Sequence, residues 1–215
     1  MTQDLTLDEI RAVLAPVVAH HAAFDGWRQA AVRQSATDKG IDPDIAALAF
    51  KGAMDMIDAW FAWIDSAMLD ALPAETLGGL SIRKRITALV EARLTLLAPD
   101  REALRRAMAV MAMPANAPRA AKLGWRAADR MWRAAGDAAT DFSHYTKRTT
   151  LAGVYATTLL VFVDDESADW ADTRAFLARR IEGVMRFEKF KAQMKGSGER
   201  LSLSRFIGRL RYPAV

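Results

Sequence analysis

The stretch Lys39-Gly40-Ile41-Asp42-Pro43-Asp44-Ile45-Ala46-Ala47-Leu48-Ala49-Phe50 is the strongest indicator of the fold in this chain. Gly40 ends the helix before it, and Asp42 followed by Pro43 is a typical helix start with proline in the first helical position. Only a short turn therefore separates two helices. Helical periodicity recurs on both sides of this turn, without sustained alternation or an Asn-Gly hairpin signal. The sequence predicts an all-α fold.

Start and stop signals divide the rest of the chain into further helices. Thr6-Leu7-Asp8-Glu9 is a capping box, and Ser81 is an N-cap residue. We predict helices over residues 7–24, 27–37, 43–50, 51–72, 81–98, 100–113, 119–136, 140–163 and 167–194, and a short final helix over 199–211. Gly196-Ser197-Gly198 forms a flexible hinge before the final helix.

The composition excludes several classes of protein. Of the 215 residues, 52% are hydrophobic and 26% are charged, which is the balance of a globular domain. The absence of cysteine excludes a disulfide scaffold, a thiol nucleophile, an iron–sulfur cluster and a cysteine-ligated zinc site. The acidic start lacks the pattern of a secretion signal or transit peptide. No apolar run reaches the roughly 18 residues of a spanning helix, so we expect contact with a membrane surface at most.

The sequence contains no motif of a common enzyme class. None of the eight glutamates has a histidine three residues later, which excludes the paired ligands of a di-iron bundle. His20 and His21 are adjacent and would point about 100° apart on a helix, unlike a pair of metal ligands four residues apart. There is no dinucleotide-binding loop and no Walker motif. This inventory favours a protein without a catalytic site, a metal or a cofactor.

Charge is distributed unevenly along the chain. Residues 1–80 contain 5 Lys and Arg against 12 Asp and Glu, a net charge of −7. Residues 81–215 contain 25 against 14, a net charge of +11. The front of the chain is therefore acidic and the back is basic.

The first three predicted helices and the long helix behind them resemble TetR-type regulators in outline. This outline indicates a helix-turn-helix-like head over 1–50, a helical body over 51–195 and a terminal helix over 199–211. A DNA-reading helix needs Arg or Lys to reach phosphates and base edges, but 43–50 has one acidic and no basic residue. We expect no nucleic-acid binding, with a TetR-type, lipid-responsive transcriptional regulator as the alternative.

The body can enclose an apolar ligand or form a methionine-rich packed core. Four side chains there are candidates for lipid binding: Met108, Met111, Met113 and Trp125.

Motifs in the back half are similar to a known family. They are Met111-Ala112-Met113-Pro114-Ala115-Asn116-Ala117-Pro118, Trp125-Arg126-Ala127-Ala128-Asp129-Arg130-Met131-Trp132, Thr140-Asp141-Phe142-Ser143-His144-Tyr145-Thr146-Lys147-Arg148 and the segment 169–180. Together they resemble the TetR-like "coenzyme Q nine" family of ubiquinone-biosynthesis accessory proteins. The resemblance implies a non-enzymatic lipid-binding protein without a cofactor. It also implies presentation of isoprenoid quinone precursors at the membrane to the demethoxyubiquinone hydroxylase, a di-iron enzyme.

The resemblance also implies a surface that binds the hydroxylase. Its residues in this chain are Asp129, Met131, Trp132, Asp137, Asp141, Tyr145 and Arg148. His144 is a departure, because some family members have tryptophan at this position. Two of these residues have an alternative structural role, since Trp132 can be part of the core and Asp141 can cap the next helix.

The predicted final helix has an apolar stripe flanked by arginines. The stripe consists of Leu203, Phe206, Ile207 and Leu210, and the flanking residues include Arg205 and Arg209. This pattern is typical of a helix that lies in an anionic bilayer surface. Docking on the body or on a second subunit is the alternative, and a homodimer is compatible with the fold. We expect a bacterial cytoplasmic protein, peripheral on the inner membrane, or a protein at the mitochondrial matrix face if the source is eukaryotic.

Overall fold

The computed structural model describes the backbone of residues 5–138, 140 and 142–196. Within these ranges the chain forms α-helices joined by short turns and contains no strand, so the predicted all-α fold is confirmed. The helices are α1 (Leu7–Asp25), α2 (Gln29–Asp38), α3 (Pro43–Ala49), α4 (Ala53–Ala71), α5 (Ala74–Gly78), α6 (Ile82–Leu97), α7 (Arg101–Met111), α8 (Ala117–Ala134), α9 (Phe142–Phe162) and α10 (Ala171–Gly196). Short 3₁₀ turns occupy Ala98–Asp100, Pro114–Asn116 and Ala168–Trp170.

The helix starts follow the capping signals in the sequence. In the capping box of α1, the backbone N–H of Thr6 donates to Glu9 Oε2 (2.8 Å) and the N–H of Glu9 donates to Thr6 Oγ1 (3.3 Å). At α3, the N–H of Asp44 donates to Asp42 Oδ1 (2.8 Å). Gly40 has a φ of +66°, a left-handed conformation in which glycine is unstrained. The turn between α2 and α3 therefore forms for the predicted reasons.

Helix α5 is absent from the prediction. It has five residues, too few for a recognisable helical period, and it ends beside Gly79. The side chain of Leu77 is buried in the core and anchors this single turn. Tertiary packing therefore stabilises an element that has little stability of its own.

Helix α1 connects the N-terminal helices to the body. It packs against α2 and α3 and also against α4 and α7. Trp27, at the start of the second helical segment, lies 5.4 Å from Trp60 of α4 between ring centres, and its indole N–H donates to the carbonyl of Ala103 (3.1 Å). The three N-terminal helices thus share one apolar core with the body.

The body is a bundle in which α4, α6, α8, α9 and α10 pack side by side. Helix α9 lies between α8 and α10 and also contacts α6. No helix in the described part of the chain is long and apolar enough to cross a bilayer. The predicted final helix over 199–211 lies outside the described residues, so its six candidate membrane-binding residues stay predictions.

Candidate functional site

An ion-paired network joins the C-terminal half of α8 to the first turns of α9. Arg148 of α9 is only 1% exposed. Its Nε donates to Asp129 Oδ1 of α8 (2.6 Å), and its Nη1 donates to Asp137 Oδ2 in the connecting turn (3.0 Å). The buried guanidinium of Arg148 therefore joins α9 to one carboxylate on α8 and to a second carboxylate in the connecting turn.

Lys147 and Trp132 extend this network toward the surface. Lys147 Nζ donates to Asp137 Oδ1 (2.6 Å) and lies 5.4 Å from the centre of the Trp132 ring. The indole N–H of Trp132 donates to the backbone carbonyl of Lys147 (3.0 Å). Trp132 is half-buried. Because its indole N–H is hydrogen-bonded and its ring lies against the Lys147 ammonium group, the ring has a fixed orientation at the surface.

The electrostatics of the network keep both carboxylates ionised. Burial acts to raise the pKa of Asp129, but hydrogen bonds from Arg148 and Arg133 outweigh it and lower that pKa below its ordinary value. Burial likewise acts to raise the pKa of Asp137, and hydrogen bonds from Lys147 and Arg148 lower it. Both side chains are therefore charged near neutral pH.

Three aromatic rings form a cluster next to the network. The ring centres of Trp125 and Tyr145 are 6.0 Å apart, those of Trp125 and His144 are 6.2 Å apart, and those of His144 and Tyr145 are 5.2 Å apart. Tyr145 is 59% exposed. An exposed tyrosine packed against other aromatic rings is a typical protein-interaction feature.

The structure brings most of the predicted partner-binding residues together but gives them different roles. Tyr145 faces solvent, and Trp132 is half-buried at the surface. Met131 is fully buried (0% exposed), and Arg148 is nearly so. In this structure neither of these two side chains offers surface to a partner, because both are buried. Asp141 lies outside the described residues.

Two further members of the network, Lys147 and Arg133, are not among the residues predicted from the sequence. Lys147 is part of the motif from Thr140 to Arg148, so the motif itself could have indicated it. Arg133 is four residues after Asp129, the ordinary spacing of a helical ion pair, and its Nε donates to Asp129 Oδ2 (2.8 Å).

A second polar cluster lies inside the body. Arg93 of α6 is fully buried and donates through Nη1 to Asp65 Oδ1 of α4 (2.5 Å). Arg126 of α8 donates through Nε to the other oxygen of Asp65 (2.9 Å) and through Nη1 to Asp58 (2.5 Å). Among the described residues, Arg93 Nε, Arg93 Nη2 and the hydroxyl of Tyr155 on α9 have no hydrogen-bond partner. Each such buried group costs about 1–3 kcal/mol.

Two adjacent cavities open beside this cluster. One of about 390 Å³ is lined by Arg11, Lys51, Asp55, Asp58, Ala59, Ala62 and Arg126. The other, about 210 Å³, is lined by Met54, Asp58, Arg119, Lys122, Leu123 and Arg126. Neither is lined by the candidate lipid-binding residues Met108, Met111, Met113 and Trp125. Met108 and Met111 pack partly buried against the core and Met113 is exposed, so lipid binding by these residues stays a prediction.

Helix α3 lacks the surface of a DNA-reading helix. Its exposed apolar side chains include Ile45 and Leu48, the latter 69% exposed. Its one acidic residue, Asp44, accepts a hydrogen bond from Arg33 of α2 (2.7 Å). Among the described residues no group of three His, Cys, Asp or Glu is placed to hold a metal ion. His20 and His21 instead lie beside Asp100 (3.2 Å) and Asp38 (2.6 Å).

A solved structure has the same fold. The crystal structure of a TetR transcriptional regulator from Nitrosomonas europaea matches with a TM-score of 0.64 and 25% sequence identity, covering 80% of this chain and 96% of that chain. The fold and the site together define an all-helical, TetR-like protein with an aromatic, ion-paired surface on α8 and α9.

The family comparison agrees with the motifs. The COQ9 family model matches residues 117–188, which include all of α8 and α9. The human ubiquinone biosynthesis protein COQ9, mitochondrial, is 33% identical over 199 residues, covering 89% of this chain and 61% of that protein. The rat protein of the same name is 34% identical over 183 residues, covering 82% of this chain and 59% of that protein. The predicted resemblance is confirmed: this chain is similar to the COQ9 proteins over most of its length. It spans about three fifths of the length of these relatives.

Proposed function

We propose that this protein is an accessory protein of ubiquinone biosynthesis that binds isoprenoid lipids and has no catalytic activity of its own. The observation that carries this proposal is the similarity to proteins named for ubiquinone biosynthesis, which covers 89% of this chain in the human case. Helices α8 and α9, with the ion-paired network and the aromatic cluster, lie within the segment matched by the family model. We therefore assign the proposed function to the surface formed by α8 and α9 and to the helical body against which they pack.

The proposed protein partner is the di-iron demethoxyubiquinone hydroxylase, and its docking site is the aromatic cluster. Tyr145 projects into solvent from a base formed by Trp125 and His144. Arg148 and Lys147 hold the turn below, so little side-chain freedom is lost when a partner binds. A preorganised aromatic anchor of this kind supplies a large share of an interface's binding energy.

The proposed site of action is the membrane surface, where the quinone precursors reside. The terminal segment supplies an apolar stripe and arginines, and the back of the chain has a net charge of +11. An anionic bilayer attracts such a surface, and apolar insertion then holds it. If this protein presents the very hydrophobic substrate, the enzyme does not have to supply the free energy that is needed to extract it from the bilayer. The inner membrane of a bacterium or of a mitochondrion is the corresponding location.

Transcriptional regulation is not favoured. A DNA-reading surface needs cations, whereas α3 exposes Ile45 and Leu48 and carries one carboxylate. The front of the chain, with a net charge of −7, repels a polyanion.

Native mass spectrometry with lipid extraction tests the lipid-binding part of the proposal. Protein purified from a quinone-producing host is expected to retain isoprenoid quinones or their precursors. Protein that is free of lipid in every preparation contradicts this part.

Substitution of the exposed anchor tests the partner. Tyr145→Ala is expected to weaken binding of the purified hydroxylase at least tenfold, because it removes the most exposed ring of the cluster without altering the core. Thr149→Ala, one turn further along α9 and also exposed, is the matched control. Surface plasmon resonance measures both variants. Equal affinity of Tyr145→Ala and the wild type refutes the docking site.

A further inference from the structure

The polar cluster inside the body contains a pair of N–H donors that meet no acceptor at normal hydrogen-bond geometry among the described residues. Arg93 binds Asp65 through Nη1, which leaves Nε and Nη2 unpartnered among the described residues. These two N–H groups lie on the same edge of the planar guanidinium and point in the same direction. They form a fork that fits two neighbouring acceptor oxygens.

Tyr155 adds a third group to the same region of the core. The guanidinium carbon of Arg93 lies 4.9 Å from the centre of the Tyr155 ring, and the Tyr155 hydroxyl is also buried without a partner. Burial raises the pKa of Tyr155, against the opposing effect of the Arg93 charge, so the hydroxyl is a neutral donor. Two adjacent N–H donors and one O–H group are therefore concentrated where α6 meets α9.

The charges around the cluster select a neutral ligand. The cations are Arg93 and Arg126, and the carboxylates that they contact are Asp65 and Asp58. The formal charges of these four groups cancel. A buried carboxylate or phosphate would add a negative charge without a counter-ion, which is costly in a medium of low dielectric constant. A neutral ring with oxygen atoms on adjacent carbons supplies the acceptors and adds no charge.

We propose that Arg93 and Tyr155 bind the oxygenated ring of an isoprenoid quinone precursor inside the body of the protein. The fork of Arg93 donates to two neighbouring oxygens of the ring, and the hydroxyl of Tyr155 pairs with an oxygen of the same ring. The isoprenoid tail then lies among apolar core side chains. This inference rests on the proposed lipid-binding function and specifies how the head group is recognised.

The site is closed in this structure, because Arg93 is fully buried and Tyr155 is 3% exposed. The ring therefore enters when the helices part. Arg126 connects the cluster to the cavity of about 390 Å³, since it lines that cavity and bonds Asp65, which in turn bonds Arg93. Ligand binding favours the open state because the ring gives partners to groups that lack them in the closed state.

Conservative substitutions test the inference on the full chain. Tyr155→Phe removes only the hydroxyl, and Arg93→Lys keeps the charge beside Asp65 but removes the fork. Ubiquinone with two isoprene units is the oxygenated probe, and the isoprenoid hydrocarbon farnesene is the oxygen-free probe. Each substitution is expected to weaken quinone binding about tenfold, measured by quenching of tryptophan fluorescence, and to leave farnesene binding unchanged.

Thermal unfolding separates a ligand-binding role from a structural one. Tyr155→Phe is expected to leave Tm nearly unchanged, because its hydroxyl makes no hydrogen bond of normal geometry among the described residues. The matched control is Thr158→Val on the same helix, whose buried hydroxyl donates to the carbonyl of Val154 (2.7 Å). This control is expected to lower Tm and to leave quinone binding unchanged.

Three outcomes overturn the inference, and they are distinguishable. If the wild type, Tyr155→Phe and Arg93→Lys bind the quinone equally, the cluster holds an internal water only, while the proposed lipid-binding function stands. If the wild type binds neither probe, both the inference and lipid binding fail. A loss of affinity for both probes in the variants also overturns it, since a general loss of core packing then explains the result.

Discussion

At the scale of single residues, Arg148 is the buried centre of the ion-paired network between α8 and α9. Its guanidinium is buried and bonds both Asp129 and Asp137. Without it, these two carboxylates keep only their hydrogen bonds from Arg133 and Lys147. Arg148→Met is therefore expected to lower the free energy of unfolding by about 3 kcal/mol, as is typical when one member of a buried ion pair is lost. Urea denaturation followed by circular dichroism measures this change.

Arg133→Gln is the control for this prediction. Arg133 bonds the same carboxylate of Asp129, but its side chain is largely exposed. We expect a loss of no more than about 0.5 kcal/mol, the usual value for a solvent-exposed pair. Equal losses in the two variants would show that burial of Arg148 contributes nothing.

At the scale of elements, the turn between α9 and α10 depends on one buried carboxylate. Asp165 accepts hydrogen bonds from the backbone and hydroxyl of Thr173 (2.8 and 2.5 Å) and from those of Ser167 (2.9 and 2.5 Å). Arg101 donates to the carbonyl of Phe162, the last residue of α9 (2.7 Å), and to that of Asp165 in the turn (2.6 Å). Asp169 and Trp170 in this turn have left-handed backbone angles, which these hydrogen bonds hold in place.

The pH dependence of stability follows from Asp165. Burial acts to raise the pKa of Asp165, but the four hydrogen bonds outweigh it and lower that pKa far below the value of 3.8 in an unfolded chain. A group with a lowered folded-state pKa stabilises the protein above its unfolded pKa, and this contribution is lost as the pH falls below it. The urea concentration at the unfolding midpoint is therefore expected to decrease as the pH is lowered from 5 to about 3. Asp165→Asn is expected to be less stable at pH 7 and to show a flatter decline.

Asp164→Asn provides the comparison for the turn. Asp164 is the neighbouring residue, its side chain is mostly exposed, and its contact is a surface ion pair with Arg105. We expect its urea midpoint to follow that of the wild type at every pH. A wild-type midpoint that stays constant from pH 5 to pH 3 contradicts the role of Asp165.

At the scale of the whole molecule, residues 1–80 are acidic and residues 81–215 are basic. This separation of charge predicts that the basic part of the chain binds an anionic bilayer. Replacement of Leu203, Phe206, Ile207 and Leu210 by Ser is expected to abolish binding to phosphatidylglycerol vesicles at low and high salt, because apolar insertion is lost. Replacement of Arg205 and Arg209 by Gln is expected to weaken binding mainly at low salt, where electrostatic attraction is unscreened. Vesicle sedimentation measures both. Unchanged sedimentation of the Ser variant would favour docking of the terminal segment on protein.

Local signals were sufficient to predict most of the helices, and the family resemblance pointed to several residues that the structure places in the α8–α9 network. Capping by Thr6 and Asp42 depends on residues within three positions, so the sequence contains the whole interaction. Asp129, Asp137 and Arg148 lie within one helix hairpin, and their motif is contiguous enough to be recognised. The prediction did not separate exposed from buried members, because burial depends on which helix faces meet.

By itself, the sequence determined the helical class, the turn at Gly40, the charge separation and the family resemblance, since each depends on residues close together in the chain or on composition. Only the tertiary structure decided that Asp65, Arg93, Arg126 and Tyr155 meet in one cluster, because they come from four different helices. It also decided that Met131 and Arg148 are interior and Tyr145 is exposed. Helical periodicity specifies that a face is apolar or polar, whereas the partner of that face is chosen by packing between helices distant in sequence.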